Sequence, residues 1–299
     1  YTNTTAANNV AVGKDAMVSN TTGANNIAIG MNALLANTTG STNIGIGFEA
    51  LHTQVAGVSY NVAVGGYALH LNTTGTNNTA LGSLAMDTNT TGSDNTAVGR
   101  QALDANTTGS KNTAIGKNAL VANTTAANNT AVGYICLSAN TTGAANTAVG
   151  DSALNQNTTG TTNAGLGYKA LHNNTTASHN TAVGHTSQRG TSTGNNNSTL
   201  GHLSLYTNTT GAQNTAIGTS ALQYATTASN NVAVGYAALE VNTTGHSNVA
   251  VGYRALDTNT EADDNTAVGF RAMEATTTGS SNAAVGKGAL DSNTTGYEN

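Results

Sequence analysis

One glycine recurs along this chain at positions 13, 30, 47, 65, 82, 99, 116, 133, 150, 167, 184, 201, 218, 235, 252, 269 and 286. The spacing is 17 residues at every step but one, where a residue is added between Gly47 and Gly65, near Val58 to Tyr60. A strict short period is the signature of stacked repeats and narrows the possible folds sharply. A single unit of this length cannot bury an apolar face, whereas a stack of identical coils can. The repeat reads N-T-A-V-G-x-x-A-L-x-x-N-T-T-G-x-x.

Each position has a physical reading. The Asn four residues before the glycine is present in every repeat, from Asn9 to Asn282. The residue just before the glycine is Val, Ile or Leu, as in Val12, Ile29 and Leu81. Two residues earlier sits Thr or an aliphatic in most repeats, as in Val10, Ile27 and Thr96. Alternation along a strand puts these two on one face and Ala11, Ala97 or Ala250 on the other. The glycine predicts a left-handed or bulged corner. After the corner comes Ala-Leu, with Leu or Met in every repeat except at Gln188. The N-T-T-G segment predicts a second short strand and a turn. Helical apolar spacing is absent, and glycine with β-branched residues recurs too often for helices. The expectation is an all-β parallel β-solenoid of about 17 coils over residues 1–299, one repeat per coil. At about 4.8 Å per coil it would form a rod on the order of 80 Å long. Two orientations remain open: Val and Leu inside with Ala facing partners, or Ala inside with Val facing out.

Composition sharpens this. Only 8% of residues are charged, and there are 35 Gly, 2 Phe, no Trp and no Pro, far from an ordinary globule. The net charge of −5 gives no reason to expect nucleic acid. No apolar run is long enough for a membrane-spanning helix. The lone Cys136 excludes an internal disulfide and stands where other repeats have Ala, so it reads as a small buried residue. The first residue is Tyr1 and no signal peptide is visible, which we read as a mature or partial chain. Neither end resembles a polar cap, so the expectation is a segment of a longer chain or head-to-tail stacking into a filament. Irregular coils are expected near 54–60, where Gln54-Val55-Ala56-Gly57 replaces N-T-T-G, and near 185–196, around Gln188. A buried Gln lacking partners predicts local widening or entry of solvent.

The N-T-A-V-G-x-x-A-L-x-x-N-T-T-G repeat resembles those of large bacterial surface proteins and phage tail fibres, where such arrays often precede a self-cleaving chaperone domain. Its N-x-A-[VI]-G core is similar to the head repeats of trimeric autotransporter adhesins. The resemblance covers essentially the whole chain. It implies a homotrimer, an extracellular, cell-surface or virion location, and a role as shaft or spacer of a fibre.

Several columns of residues are candidates for chemistry. Thirteen N-x-T sequons, at Asn3, Asn20, Asn37, Asn72, Asn89, Asn106, Asn123, Asn140, Asn157, Asn174, Asn208, Asn242 and Asn293, could carry glycans. The competing reading is a turn and ladder role, because Thr226-Thr227 and Thr277-Thr278 survive where the Asn is lost at Ala225 and Thr276. Glu240, Asp257, Glu274 and Asp291 occupy one position in four successive coils. Stacked carboxylates repel, so either Arg254 and Arg271 screen them or a Ca²⁺ binds. Tyr236, Tyr253 and Phe270 form an aromatic column that could stack on sugars or simply pack on itself. His52 with His70, and His185 with His202, are paired, but the sequence shows no third metal ligand. Threonine ranks raise ice binding as a distant alternative, weakened because adjacent threonines cannot both face outward on a strand. Catalytic motifs are absent, so no enzyme is expected. A self-assembling, glycosylated filament and a carbohydrate- or cell-binding adhesin are the remaining readings.

Overall fold

A computed structural model describes residues 4–299. The chain is an all-β parallel solenoid with one three-residue strand per repeat. It forms two compact units, which meet in sequence at Asn146 and Thr147. The first holds β1 (Val10–Val12), β2 (Ile27–Ile29), β3 (Ile44–Ile46), β4 (Val62–Val64), β5 (Thr79–Leu81), β6 (Thr96–Val98), β7 (Thr113–Ile115) and β8 (Thr130–Val132). The second holds β9 (Thr147–Val149), β10 (Ala164–Leu166), β11 (Thr181–Val183), β12 (Ser198–Leu200), β13 (Thr215–Ile217), β14 (Val232–Val234), β15 (Val249–Val251), β16 (Thr266–Val268) and β17 (Ala283–Val285). Within each unit successive strands pair in parallel, so Thr96 lies beside Thr113 and Val232 beside Val249. The added residue is absorbed outside the sheet, because Ile44 still pairs with Val62.

The narrow coil settles which side of the strand faces inward. The central residue of β2 to β17 is buried, while its neighbours face solvent at least in part. Ala fills this slot almost throughout, and the larger Val, Ile and Leu lie outside. Of the two orientations left open, Ala inside is the one adopted. The interior is completed by the Ala-Leu pair, such as Ala102 and Leu103, and by asparagines, all fully buried. Cys136 takes the Ala position inside, as expected, and its Sγ lies 3.4 Å from the Val132 carbonyl.

The N-T-T-G segment is not a second strand. It is a bend, and turns occupy the residues between it and the glycine corner. The reason lies in φ angles that no glycine announces. Leu103 has φ +55°, Leu120 +52° and Leu239 +52°, and the residue two before each is also left-handed, as at Gln101 with φ +56°. Left-handed L-residues cost roughly 1–2 kcal/mol each, which burying a Leu side chain offsets with about 1.5–3 kcal/mol. Backbone bonds between coils continue through these turns: Leu103 N–H donates to Ala119 O at 2.9 Å and Thr90 N–H to Thr107 O at 2.9 Å. The glycine corner has φ near +130°, and a Cβ on Gly116 would sit 2.2 Å from Gly133 O. Only glycine lets the coils approach this closely.

Candidate functional surfaces

Two asparagine ladders run inside the coils. The Asn before each strand forms the first, as where Asn78 Oδ1 accepts from Asn95 N–H at 3.0 Å, and Asn95 Nδ2 donates to Gly109 O at 2.9 Å and to Asn78 Oδ1 at 3.2 Å. The Asn of N-T-T-G forms the second ladder. Asn106 Nδ2 donates to Asn89 Oδ1 at 2.7 Å and to Gly109 O at 2.9 Å. These ladder asparagines are the sequons. Asn3 lies outside the described residues. At each of the other twelve, Nδ2 donates to the carbonyl three residues on. All but the part-buried Asn293 are buried. A sugar on such an Nδ2 would have to occupy the coil interior. The fold therefore holds these residues as interior ladder groups rather than as presented acceptors.

The two middle acids of the column are ion-paired with arginine. Arg254 Nε and Nη2 both lie 2.6 Å from Asp257 Oδ2, and Arg254 Nε lies 3.3 Å from Glu274 Oε1. Arg271 Nε donates to Glu274 Oε2. The bond to Asp257 holds Arg254 protonated more firmly than usual. Burial, and then the neighbouring Asp257, raise the Glu240 carboxyl above its ordinary range. Asp291 is exposed and accepts from Ser292. Among the described residues, no group of three or more His, Cys, Asp or Glu is arranged to hold a metal ion. Arg254 and Arg271 thus screen the middle of the column, at Asp257 and Glu274.

Tyr236, Tyr253 and Phe270 stack with ring centroids 5.4 and 5.2 Å apart and planes within 12° and 10°. Lys287 Nζ caps the row, 5.9 Å from the Phe270 centroid. Stacked in this way, the rings cover one another's faces and offer solvent their edges, so a sugar has no open face in mid-row. The His52–His70 pair lies 5.3 Å apart, between acids the sequence did not connect with it. His70 Nε2 is 3.3 Å from Glu49 Oε2, and its Nδ1 is 3.2 Å from Asp87 Oδ1. Glu49 sits on a different column, so only the coil geometry brings it near His70. His185 stacks between Tyr168 and His202 at 5.1 and 5.2 Å.

The two irregular coils differ. Gln54 replaces the ladder Asn: its Nε2 donates to Asn37 Oδ1 at 3.2 Å and to Val58 O at 2.7 Å. The extra length bulges outward as exposed Val55, Ala56 and Gly57. At the other coil, Ser187, Thr199 and Ser204 replace alanines and bond among themselves, Ser187 Oγ lying 2.7 Å from Thr199 Oγ1 and 2.9 Å from Ser204 Oγ. Gln188 is fully buried and neither amide atom has a partner. The backbone bonds to the next coil continue here, Gln188 N–H donating to Ser204 O at 2.8 Å and Gly190 N–H to Tyr206 O at 2.8 Å.

No protein-family model matches this chain, and no curated protein shows significant similarity to it.

Proposed function

We propose that this chain is a structural shaft or spacer segment of an extracellular fibre. The observation that carries this reading is the pair of asparagine ladders, which with the backbone bonds tie coil to coil inside both units. Recognition proteins concentrate distinctive groups at one place, whereas here the most regular chemistry is internal and repeats with the coil. Outward positions of the turns, such as the two after the glycine, vary from coil to coil, as expected where reach and stiffness are the selected properties. The resemblance to surface-protein and tail-fibre repeats supports the same reading and an extracellular setting.

Negative-stain microscopy and a glycan array on the same preparation test it. Elongated particles without glycan binding are expected. Specific glycan binding lost on Tyr253→Ala would move the reading to an adhesin, and compact particles would remove the shaft.

A further inference from the structure

We infer that Asn128 and Asn196 are N-linked glycan acceptors of the folded chain, taking a sugar from a glycosyl diphosphate donor. The N-T-T asparagines do not exhaust the N-x-S/T motif, which also begins at Asn77, Asn128, Asn173, Asn196 and Asn197. Asn77, Asn128 and Asn196 each stand one residue ahead of a buried ladder Asn and are themselves exposed. They occupy the corner before the strand, with left-handed φ of +58°, +62° and +59°. The last residue of the motif, Thr79, Thr130 or Ser198, opens β5, β8 or β12 and faces solvent at least in part. Amide and hydroxyl are thus presented together, whereas an N-T-T amide is turned into the coil.

Glycosyl transfer breaks the bond from sugar C1 to a diphosphate oxygen, which leaves with the electron pair, and forms a bond from C1 to Nδ2. One Nδ2 proton passes to a carboxylate of the transferase. An amide nitrogen is a weak nucleophile, because its lone pair is shared with the carbonyl. The transferase must therefore grip and turn the amide, which has to be free of the protein. Asn106 spends both Nδ2 protons inside the coil, on Asn89 Oδ1 and Gly109 O. Among the described residues, neither the Asn128 nor the Asn196 side-chain amide has a hydrogen-bond partner. The other candidates are engaged. Asn77 Nδ2 donates to Asp94 Oδ1 at 3.3 Å. Asn173 Oδ1 lies 2.7 Å from His172 Nδ1, and its motif hydroxyl, Thr175 Oγ1, donates to Ser192 O at 3.0 Å. Asn197 is a buried ladder residue. Beside Asn128 the corner also leaves room for a sugar, since it carries Ala127 and, in the next coil, Ala144 and Ala145.

The test incubates the folded full chain with UDP-glucose and a soluble asparagine glucosyltransferase that reads N-x-S/T, then maps the modified residues by mass spectrometry. Glucose is expected at Asn128 and Asn196. Each buried N-T-T asparagine should react roughly 100-fold more slowly, because it must wait for its coil to open. A proteolytic digest of the same chain should take glucose at the N-T-T asparagines too, which would show that burial and not sequence protects them. Thr130→Ala and Ser198→Ala remove only the motif hydroxyl and should abolish the sugar at Asn128 and at Asn196 respectively. Circular dichroism melting of each variant shows that the coils remain folded. Absence of glucose from Asn128 or from Asn196 in the folded chain overturns the assignment of that site. Equal modification of the buried asparagines, or sugar that persists in the alanine variants, overturns the inference as a whole. The modification needs only the folded coil and not a fibre, so its outcome is independent of the shaft reading.

Discussion

Three ladder carbonyls lack donors: Oδ1 of Asn174, Asn208 and Asn259. Each stands one coil before a repeat whose Asn is replaced, by Thr191, Ala225 and Thr276 respectively. The orphans thus follow directly from sequence, once Asn is known to point inward. Ala225→Asn should give Asn208 Oδ1 its donor and Asn242 Nδ2 an acceptor. At about 0.5–1.5 kcal/mol per bond, the gain expected in urea melts is about 1–2 kcal/mol. An unchanged or lowered midpoint would mean that the slot beside Ala228 is too tight. Gln188 is the converse case, a polar side chain where every other repeat has Leu or Met. Its φ of +49° matches the +50° of Leu205 in the next coil, so Gln188→Leu adds no backbone strain. Removing a buried amide without partners should stabilise by about 1–3 kcal/mol, read from the same melts.

A coil behaves as a unit when its outward column titrates. Burial raises the Asp104 carboxyl above the ordinary carboxylate range, opposed by the Gln101 amide and reinforced by Asp87. Burial also raises Asp87, opposed by His70. A carboxyl raised in the folded state holds its proton more readily folded than unfolded. It therefore costs least stability below the ordinary carboxylate range, and its cost grows as pH rises through the raised value. Asp104→Asn removes that cost. The variant should melt above the parent at pH 7 by less than about 1 kcal/mol, since the group is half exposed. The gain should vanish below about pH 3.5, and a gain constant with pH would point to another cause. This column also marks the limit of the sequence reading. The period, the strand and its alternation follow from spacing alone, and so do the stacked acids and rings. Inward Ala and outward Val did not, because space inside a 17-residue coil outranks hydrophobicity there. The turn after the glycine corner was only partly legible, since its second left-handed residue is Leu in most repeats, a type that carries no turn signal. The N-T-T sequon motif is legible, but the burial of its asparagines is a property of the coil.

A stack held by nearest-neighbour bonds should tolerate a cut in one coil far better than a globule would. In the first unit the added length at Val55, Ala56 and Gly57 stands exposed, while the bonds on either side of it are intact. Gln54 keeps the ladder, Asn61 N–H still donates to Asn43 Oδ1 at 3.0 Å, and β3 still pairs with β4. Brief digestion with proteinase K should therefore nick the native chain at residues 55–57 and yield two fragments that elute together. They should separate only in denaturant. Residues 186–188 and 191, though polar, are buried and should resist. That contrast separates two kinds of irregularity. An insertion leaves the interior satisfied and shows as an accessible loop, whereas a wrong residue inside shows as lost stability without accessibility. First cleavage within 186–191 would mean that Gln188 already opens its coil in the native state. The Gln188→Leu variant should then abolish that site and leave the nick at 55–57 unchanged.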